Sequence, residues 1–471
     1  MSAAPSHAVV KSSLVPAQER LAAFTAKCVL LVAMGIVFFS TYGFANWLAG
    51  RHTVVPSFSF SWEPAIPFWP WTIIPYWSID LLYAASFFLC KWRNELLDHV
   101  KRLLTVQCIS VACFILWPLR FSFERPAVDG AAGALFTLLA GFDKPFNQAP
   151  SLHIGLLVVL WAVYAIRLSG ISRWALHIWF TLIGISVLTT YQHHFIDVPT
   201  GAAVGCFALF LFPVRRVHAT RDGEDTVRQA QSRRIAWRYA TGALASLLIV
   251  YLVVPVSPAL ALFLGWIALA LLCVAIVHWY ADASMFQKNA CGKMPLPACA
   301  LFAPIIVGAF VNSRAWTFRQ PAPTGVTHDV LIGRTPTMRG IKRAGVTAVV
   351  DLTAEMPRWF QPGSTTAYTR VPQLDLVLPT VAQMQQAVVA IETMRASGHK
   401  VLVCCALGYS RGALCVAAWL ASHLQLNDAQ AAVALVRAVR PQVVLSAQSV
   451  ALLQRYIDWR LSAHTVAGCH E

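Results

Sequence analysis

The chain has 471 residues, of which 57% are hydrophobic and only 12% are charged. Because a soluble domain carries about a quarter charged residues, this composition excludes a fully water-soluble protein and predicts that much of the chain lies in lipid. The net charge of +16 resides in short loops between apolar runs, which favours orientation in a membrane and no nucleic-acid partner. The 12 cysteines include no Cys-x2-Cys pair, so neither a zinc site nor a disulfide framework is indicated.

Apolar runs of membrane-spanning length recur between residues 28 and 311, after a polar tail, residues 1–21. A ninth run, Leu296–Val311, is shorter and contains two prolines, so it is compatible with a span, a re-entrant segment or a surface helix. We therefore predict a multi-span α-helical membrane domain, with six core helices and two or three extra helices. The eight long runs are Cys28–Ala49, Phe68–Cys90, Leu103–Leu119, Gln148–Ile166, Trp174–Tyr191, Phe195–Val214, Tyr239–Val256 and Ala259–Tyr280.

The loops predict the orientation of these spans, because cytoplasmic loops are rich in Lys and Arg. The segments Lys91–Arg102 and Arg215–Arg238 are strongly basic and are expected to be cytoplasmic. The loop Arg120–Ala149 and the turn near His193 lie one crossing away from them. Both are therefore expected to face the periplasm or the outside of an inner-membrane protein.

Two outward segments carry ionisable residues at the ends of neighbouring spans. "KPFNQAPSLHIG" contains Ser151 and His153, and "TYQHHFIDVPTG" contains His193 and Asp197. One crossing in and one crossing back return the chain to the same face, so we expect the segments to meet. One imidazole can attack phosphorus, an Asp one helical turn away can orient it, and the other imidazole can protonate the leaving oxygen. The alternative is a pair of interfacial histidines without a chemical role.

Over residues 22–214 this region resembles the type 2 phosphatidic acid phosphatase superfamily, through its motifs Pro-Ser-x-His and His-x3-Asp. The resemblance implies a six-span core. It also implies that His193 is the nucleophile, that Asp197 orients it and that His153 is the general acid. Ser151 belongs to the second motif and is expected to bind phosphate.

The other motifs of that superfamily are incomplete in this chain. The first motif, Lys-x6-Arg-Pro, keeps Arg125 as a phosphate ligand but has Pro118 where Lys belongs, and Arg120 is the candidate substitute. The third motif opens with Ser186-Val187 instead of Ser-Arg. The segment "HHFIDV" in this motif is closer to the lipid phosphotransferase branch. Transfer of a head group to an alcohol therefore stays open as an alternative reaction.

After about Arg319 the pattern changes to alternating strands and helices. "HDVLIGR", "VTAVVDLTAE" and "KVLVCC" are typical of buried strands, and "TVAQMQQAVVAIETMRA" and "RGALCVAAWLASHL" are typical of helices. We predict additional transmembrane helices and a linker over residues 215–320, followed by an α/β domain over residues 321–471.

The stretch "CCALGYSRG" contains three candidate nucleophiles, Cys404, Cys405 and Ser410. Gly408-x-Ser410-x-Gly412 has the form of a serine elbow, but too few residues follow it to complete a hydrolase fold. Cys405 to Arg411 instead has the form Cys-x2-Gly-x2-Arg. A short loop between strand and helix, with Gly408 at its turn, directs N–H groups at phosphate and stabilises a thiolate. Arg411 adds a bidentate fork for phosphate, and Ser410 can hydrogen-bond the departing sulfur.

A leaving alcohol also needs a proton, and Asp375 stands 30 residues upstream of Cys405 in "RVPQLDLVLPT". The alternative role for Asp375 is that of a turn or helix-entry residue. Over about Val326–Leu461 the chain resembles the dual-specificity protein tyrosine phosphatases. The resemblance implies that Cys405 is the nucleophile, Arg411 the phosphate ligand and Asp375 the general acid and then base. Cys404 replaces the usual His before the nucleophile and is either an inert packed thiol or an oxidative partner of Cys405.

Together these features predict a bifunctional membrane phosphatase that hydrolyses phosphomonoesters of phospholipids or their precursors without a metal or another cofactor. One alternative is a lipid head-group phosphotransferase with a regulatory phosphatase domain. Another is a membrane-bound phosphatase that acts on phosphoproteins in signalling. With eight spans the cysteine domain is cytoplasmic, which we prefer because a thiolate suits a reducing compartment; with nine spans it faces outward.

Overall fold

The computed structural model of the protein describes residues 21–215, 226–360 and 366–467. The predicted tail therefore lies outside the described residues except for Leu21, and so does part of the basic segment after Val214. The chain divides into two compact units, Met1–Val214 and Arg215–Glu471. Each unit has a hydrophobic core of its own.

Helices build the first unit around one central helix. The side chains of α5 are buried along most of its length, as expected for a helix surrounded by other helices. The helices of the described part are α1 (Phe24–Ala49), α2 (Ile73–Leu89), α3 (Arg93–Leu116), α4 (Gly130–Phe142), α5 (Leu152–Ala165), α6 (Gly170–Thr189) and α7 (Asp197–Leu211).

Seven helices in the described ranges are long and apolar enough to cross a membrane, fewer than the eight or nine predicted. The predicted runs Gln148–Ile166 and Phe195–Val214 are wrong in helix length, because α5 and α7 have only 14 and 15 residues and a span needs about 20. Hydropathy cannot separate the apolar turn before a helix from the helix itself. In contrast, the ninth run extends to a 21-residue helix. Helix α4 was not predicted.

Glycines allow α5 and α7 to approach closely. A Cβ atom on Gly201 would lie 2.4 Å from the Ser151 carbonyl oxygen, and one on Gly205 would lie 2.6 Å from the Gly155 carbonyl oxygen. Small residues four positions apart are typical of such contacts between membrane helices. The approach joins the starts of the two helices, since the Ser151 N–H donates to the Asp197 carbonyl at 3.1 Å.

Gly201→Leu is therefore expected to push α5 and α7 apart. Overpacking of this kind costs about 1–3 kcal/mol, so the thermal midpoint of the purified protein in detergent should fall by several degrees. Gly141→Leu is the matched control, because no atom lies within 4 Å of a Cβ built there. If both variants unfolded at the wild-type midpoint, the close contact would be contradicted.

The second unit begins with three apolar helices, α8 (Thr226–Val253), α9 (Pro258–Tyr280) and α10 (Leu296–Trp316). Helices α8 and α9 form an antiparallel hairpin. The Ser232 hydroxyl donates to the His278 carbonyl at 2.7 Å, and the Ser246 hydroxyl donates to the Leu264 carbonyl at 3.0 Å.

An α/β domain follows, and its sheet has the strand order β1-β2-β5-β3-β4. Strand β1 is antiparallel to β2, and the other neighbours are parallel. The three predicted strands and two predicted helices are confirmed as β2, β3, β5, α12 and α13. The elements are β1 (Thr324–Gly325), β2 (Val330–Arg334), α11 (Met338–Ala344), β3 (Ala348–Thr353), β4 (Ala367–Gln373), α12 (Val381–Ala396), β5 (Val401–Cys405), α13 (Arg411–His423), α14 (Ala429–Val439) and α15 (Ala447–Ala467).

The parallel strands bring three chemically active segments to one edge of the sheet. Strand β3 ends two residues before Glu355, β4 ends two residues before Asp375, and β5 ends at Cys405. Ligands of open parallel sheets bind at the carboxyl ends of the strands. This edge is therefore the candidate site of the domain.

Candidate active sites

The loop between β5 and α13 surrounds the Cys405 thiol. The Gly408 N–H donates to Cys405 Sγ at 3.2 Å, and a Cβ atom on Gly412, in the first turn of α13, would lie 3.7 Å from that sulfur. Gly408 has a φ of +78°, and a Cβ atom there would lie 2.4 Å from the carbonyl carbon of Gly333, so only glycine fits. The sulfur thus lies beside the Gly408 N–H group and the first turn of α13, and the N-terminal end of a helix is a favourable place for an anion.

Arg411 connects the loops that follow β3, β4 and β5. Its Nη1 and Nη2 donate to the two carboxylate oxygens of Glu355 at 3.0 and 2.7 Å. Nη1 also donates to the Gln373 carbonyl at 2.9 Å, and Nη2 lies 3.0 Å from Asp375 Oδ1. The guanidinium that was predicted to bind phosphate is therefore buried and oriented by two carboxylates.

The environments of these two carboxylates push their pKa values in opposite directions. Burial acts to raise the pKa of Glu355, but the charge of Arg411 and its hydrogen bonds outweigh burial and lower it. Partial removal from water raises the pKa of Asp375, whose side chain is half exposed, while Arg411 opposes the rise and the charge of Glu355 adds to it. A carboxyl with a raised pKa suits a general acid, so the electrostatics favour Asp375 for that role.

The structure brings Cys405, Arg411 and Asp375 together at the same edge of the sheet, although their chemical roles remain predictions. Ser410 is exposed directly before α13, and its hydroxyl does not cap that helix. No histidine among the described residues hydrogen-bonds Ser410. This is the arrangement of a cysteine loop and not of a serine elbow.

Sequence reasoning missed Glu355, which is the main partner of Arg411. The position of Glu355 in the sequence could have identified it, because an acidic residue just after a buried parallel strand lies at the edge of the sheet where ligands bind. Cys404 is fully buried and belongs to the hydrophobic cluster on the other face of the sheet from Cys405. Neighbouring strand residues point to opposite faces, which favours the inert packed thiol.

Glu355→Ala is expected to destabilise the cysteine domain, because it leaves the Arg411 charge buried without its main partner. Breaking a buried pair costs about 3 kcal/mol or more, which corresponds to a fall of roughly 10 °C in the thermal midpoint. The folded pKa of Glu355 is below its ordinary value, so the stabilisation is present above that value. It is lost as the pH falls through the folded pKa, and the difference from wild type should shrink in acid.

Glu392→Ala is the matched control for that measurement. Glu392 pairs with Arg395 at 2.6 Å on the surface, where Glu392 is 43% exposed, and it accepts a hydrogen bond from Trp419. The expected loss is about 1 kcal/mol. Equal shifts of the thermal midpoint for the two variants would show that the buried Glu355–Arg411 pair stabilises the domain no more than the surface pair does.

In the first unit, His193 lies between two predicted site residues. Its Nδ1 is 3.0 Å from Asp197 Oδ2, and its Nε2 is 3.1 Å from the Ser151 hydroxyl. His153 stacks on Tyr76 with ring centroids 4.3 Å apart and is within electrostatic range of His193. The buried atoms His153 Nε2 and Asp197 Oδ1 make no hydrogen bond within the described part of the chain.

The neighbouring histidine has a different environment. His194 Nδ1 lies 2.9 Å from Glu63 Oε2, and its Nε2 lies 3.1 Å from the Ser122 hydroxyl, so both ring nitrogens have protein partners. Sequence reasoning missed Glu63, whose signal would have required knowledge of the fold. It also missed Asp143, which accepts from a tyrosine hydroxyl at 2.6 Å and lies within electrostatic range of His193.

The two predicted basic ligands of the histidine site differ in their contacts. Arg125 donates from Nε to the Thr190 carbonyl and from Nη2 to the Tyr191 carbonyl, both at 3.2 Å, and so supports the turn before His193. Arg120 is exposed. Neither residue donates to a side chain of the histidine site among the described residues, and their role toward phosphate remains a prediction.

Within the described ranges, no group of three His, Cys, Asp or Glu side chains has the arrangement of a metal site. Residues 332–458 match the family described as dual specificity phosphatase, catalytic domain. No curated protein sequence matches the chain.

Several solved structures are similar to this part of the chain. Human DUSP28 is 26% identical and matches over 30% of this chain and 96% of its own, with a TM-score of 0.27. PTPMT1 is 20% identical over 31% of this chain and 99% of its own, with a TM-score of 0.28. Tk-PTP in its active form is 24% identical over 30% and 98%, with a TM-score of 0.26.

The family match contains the whole loop from Cys405 to Arg411, together with Glu355 and Asp375. It confirms most of the range over which the resemblance was predicted. Residues 332–458 are a dual-specificity phosphatase catalytic domain, and the protein is a phosphoric monoester hydrolase.

Proposed function

We propose that the protein is a bifunctional membrane phosphatase that hydrolyses phosphomonoesters of phospholipids or their phosphorylated precursors. The observation that carries this proposal is the contact of the cysteine site with apolar helices. Tyr239 of α8 stacks on His278 of α9 with ring centroids 5.6 Å apart, and the charges of Glu355 and Arg411 reach both side chains. A cysteine site beside two helices of spanning length lies where lipid head groups are found.

Aromatic and basic side chains at the same end of the hairpin support this placement. Trp237 and Trp279 make an edge-to-face contact with ring centroids 6.0 Å apart, and the Arg233 guanidinium lies 5.4 Å from the Trp279 ring centroid. Trp and Tyr are enriched at the membrane–water interface, and arginines there attract anionic lipids. We infer that the cysteine site is level with the head groups of one leaflet.

At the cysteine site, the proposed reaction has two steps. The Cys405 thiolate attacks phosphorus while Arg411 binds the phosphoryl oxygens, and the ester oxygen leaves with the proton of Asp375. Asp375 then takes a proton from water, which attacks the phosphocysteine and releases phosphate, while Ser410 hydrogen-bonds the departing sulfur. Asp375 thus gives one proton to the leaving oxygen and regains one from the attacking water.

We further propose a second, phosphohistidine site in the first unit. Asp197 holds Nδ1 of His193, so that Nε2 is the nitrogen left to attack phosphorus. His153 is the proposed acid for the leaving oxygen, and its Nε2 has no protein partner among the described residues. This proposal extends the resemblance to the type 2 phosphatidic acid phosphatases, and we place the site on the periplasmic side.

We place the cysteine domain on the cytoplasmic side of the inner membrane, and the two flanks of α10 support this side. Before α10, the Gly292 carbonyl accepts from the Arg358 N–H at 2.8 Å; near its end, the Ser313 hydroxyl donates to the Ala406 carbonyl at 2.5 Å. A 21-residue helix is about 30 Å long, the thickness of the hydrocarbon core. A helix that crossed the core could not return both flanks to one domain.

Helix α10 is therefore proposed to stay on one side, and the domain shares the side of the basic segment before α8. The placement is tested by labelling the full chain in spheroplasts with a membrane-impermeant maleimide. The exposed Cys291, before α10, and a cysteine introduced by Gln320→Cys, after α10, should both react only once the membrane is permeabilised. Reaction of one flank in intact spheroplasts would contradict it.

The function is tested with purified full-length protein in phospholipid vesicles. Phosphatidic acid in the vesicles, a soluble short-chain analogue and a phosphotyrosine peptide are compared as substrates for wild type, Cys405→Ser and His193→Ala. Faster phosphate release from the lipid, lowered by each substitution and abolished by both together, is the expected result. Preference for the peptide would favour a signalling phosphatase, and transfer of the head group to an added alcohol would favour the phosphotransferase.

A further inference from the structure

Gln231 of α8 is hydrogen-bonded to the loop that carries Asp375. Its Nε2 donates to the Leu376 carbonyl at 3.1 Å, and its Oε1 accepts from the Leu378 N–H at 3.3 Å. One amide side chain thus makes two hydrogen bonds with backbone groups that lie within three residues of the proposed general acid. The helix that provides it lies 145 residues earlier in the chain.

At the tip of this loop two side chains are exposed, although their neighbours Leu374 and Val377 are buried. The Leu376 side chain is 61% exposed, with a φ of +59° at that residue, and the Asp375 side chain is 50% exposed. Apart from its ion pair with Arg411 at 3.0 Å, the position of the exposed Asp375 carboxyl depends on the backbone of this tip. The two hydrogen bonds from the α8 side chain hold that backbone from outside the loop.

Helix α10 supports the phosphate loop in a similar way. The Ser313 hydroxyl donates to the carbonyl of Ala406, the residue after Cys405, at 2.5 Å. Arg314 Nη2 donates to the Thr335 carbonyl at 3.1 Å, just after β2. Both halves of the site thus rest on the apolar helices, and precise catalytic geometry depends on such support from rigid elements.

We propose that Gln231 is a positioning residue that holds the general-acid loop over the cysteine site. This inference rests on the proposed role of Asp375. It ties the position of the acid to a membrane helix, so that the phosphatase domain acts fully only when it is docked on α8. The consequence is a selective dependence on the leaving group, because a poor leaving group needs the proton of Asp375 and a good one does not.

The test measures kcat/KM, which reports the first phosphoryl transfer, for the full-length protein in a His193→Ala background with two soluble substrates. p-Nitrophenyl phosphate has a good leaving group, and glycerol 3-phosphate has a poor one. Gln231→Met keeps the length of the side chain and removes its hydrogen bonds. We expect a loss of about 10-fold or more with the alkyl phosphate and a much smaller loss with the aryl phosphate. Gln229→Met, on the same helix, is the matched control.

A double-mutant cycle separates positioning from general stability. In an Asp375→Asn background, Gln231→Met should cause no further loss with the alkyl phosphate, because residues that act through one group are not additive. Equal losses on both substrates, or a further loss in that background, would overturn the positioning role. If Asp375→Asn alone left alkyl turnover intact, the proposed acid would be wrong and the role of Gln231 would fall with it.

Discussion

Cys405→Ser is expected to lower kcat/KM for aryl phosphates by about 10³-fold or more. The N–H group of Gly408 and the first turn of α13 lie beside the sulfur and stabilise a thiolate. A serine hydroxyl in the same place stays protonated, because its intrinsic acidity is far lower. The measurement is made in a His193→Ala background, so that the proposed histidine site does not contribute.

Cys404→Ser is the matched control for this prediction. Cys404 precedes the proposed nucleophile but lies fully buried in the other hydrophobic cluster of the domain. Its replacement should change kcat/KM only a few-fold, although a buried hydroxyl costs about 1–3 kcal/mol of stability when it finds no partner. If Cys405→Ser retained turnover and Cys404→Ser lost it, the nucleophile would have been assigned to the wrong sulfur.

Asp375→Asn is expected to lower kcat/KM for alkyl phosphates by about 10²- to 10⁴-fold, the usual contribution of a general acid. The effect should depend on pH. Partial removal from water raises the pKa of Asp375, so the carboxyl keeps its proton to higher pH than an ordinary Asp. Wild-type kcat/KM should fall as the pH rises through this pKa, and the fall should be absent in the Asn variant.

The pH profile is measured with glycerol 3-phosphate in a His193→Ala background, for the otherwise wild-type protein, Asp375→Asn and the control Asp428→Asn. Asp428 caps helix α14 by accepting hydrogen bonds from two backbone N–H groups, a role that Asn fills equally well. The control should keep both the rate and the profile of wild type. An unchanged profile in Asp375→Asn would assign the titration, and with it the acid, to another group.

The cysteine loop could be predicted from the sequence because its parts are contiguous. Cys405, Gly408 and Arg411 follow one another within a strand–loop–helix pattern, and the local backbone alone places the sulfur near the helix start. His193 and Asp197 are also close in sequence, but their 3.0 Å contact forms across the turn before α7, which begins at Asp197, and not within one helical turn as predicted. Motifs of this kind predict contacts between residues that are close together in the sequence.

The lengths of the apolar helices were harder to predict. Hydropathy adds up the apolar residues of a run, but α5 begins only at Leu152, where the Ser151 side chain caps it by accepting a hydrogen bond from the Ile154 N–H. Buried non-helical backbone at membrane depth is tolerated where protein surrounds it. A run of apolar residues therefore did not define where a helix begins or ends: α5 is shorter than its predicted run, whereas α10 is longer.

By itself, the sequence determined that the protein has apolar helices of membrane-spanning length, a C-terminal α/β phosphatase domain and a cysteine loop at the end of a buried strand. Only the tertiary structure decided which groups hold that loop and its partners. Glu355 reaches Arg411 across 56 positions of sequence and Gln231 reaches the Asp375 loop across 145. Such pairs leave no local pattern in the sequence, because their residues come into contact only after the sheet and the helix hairpin have folded.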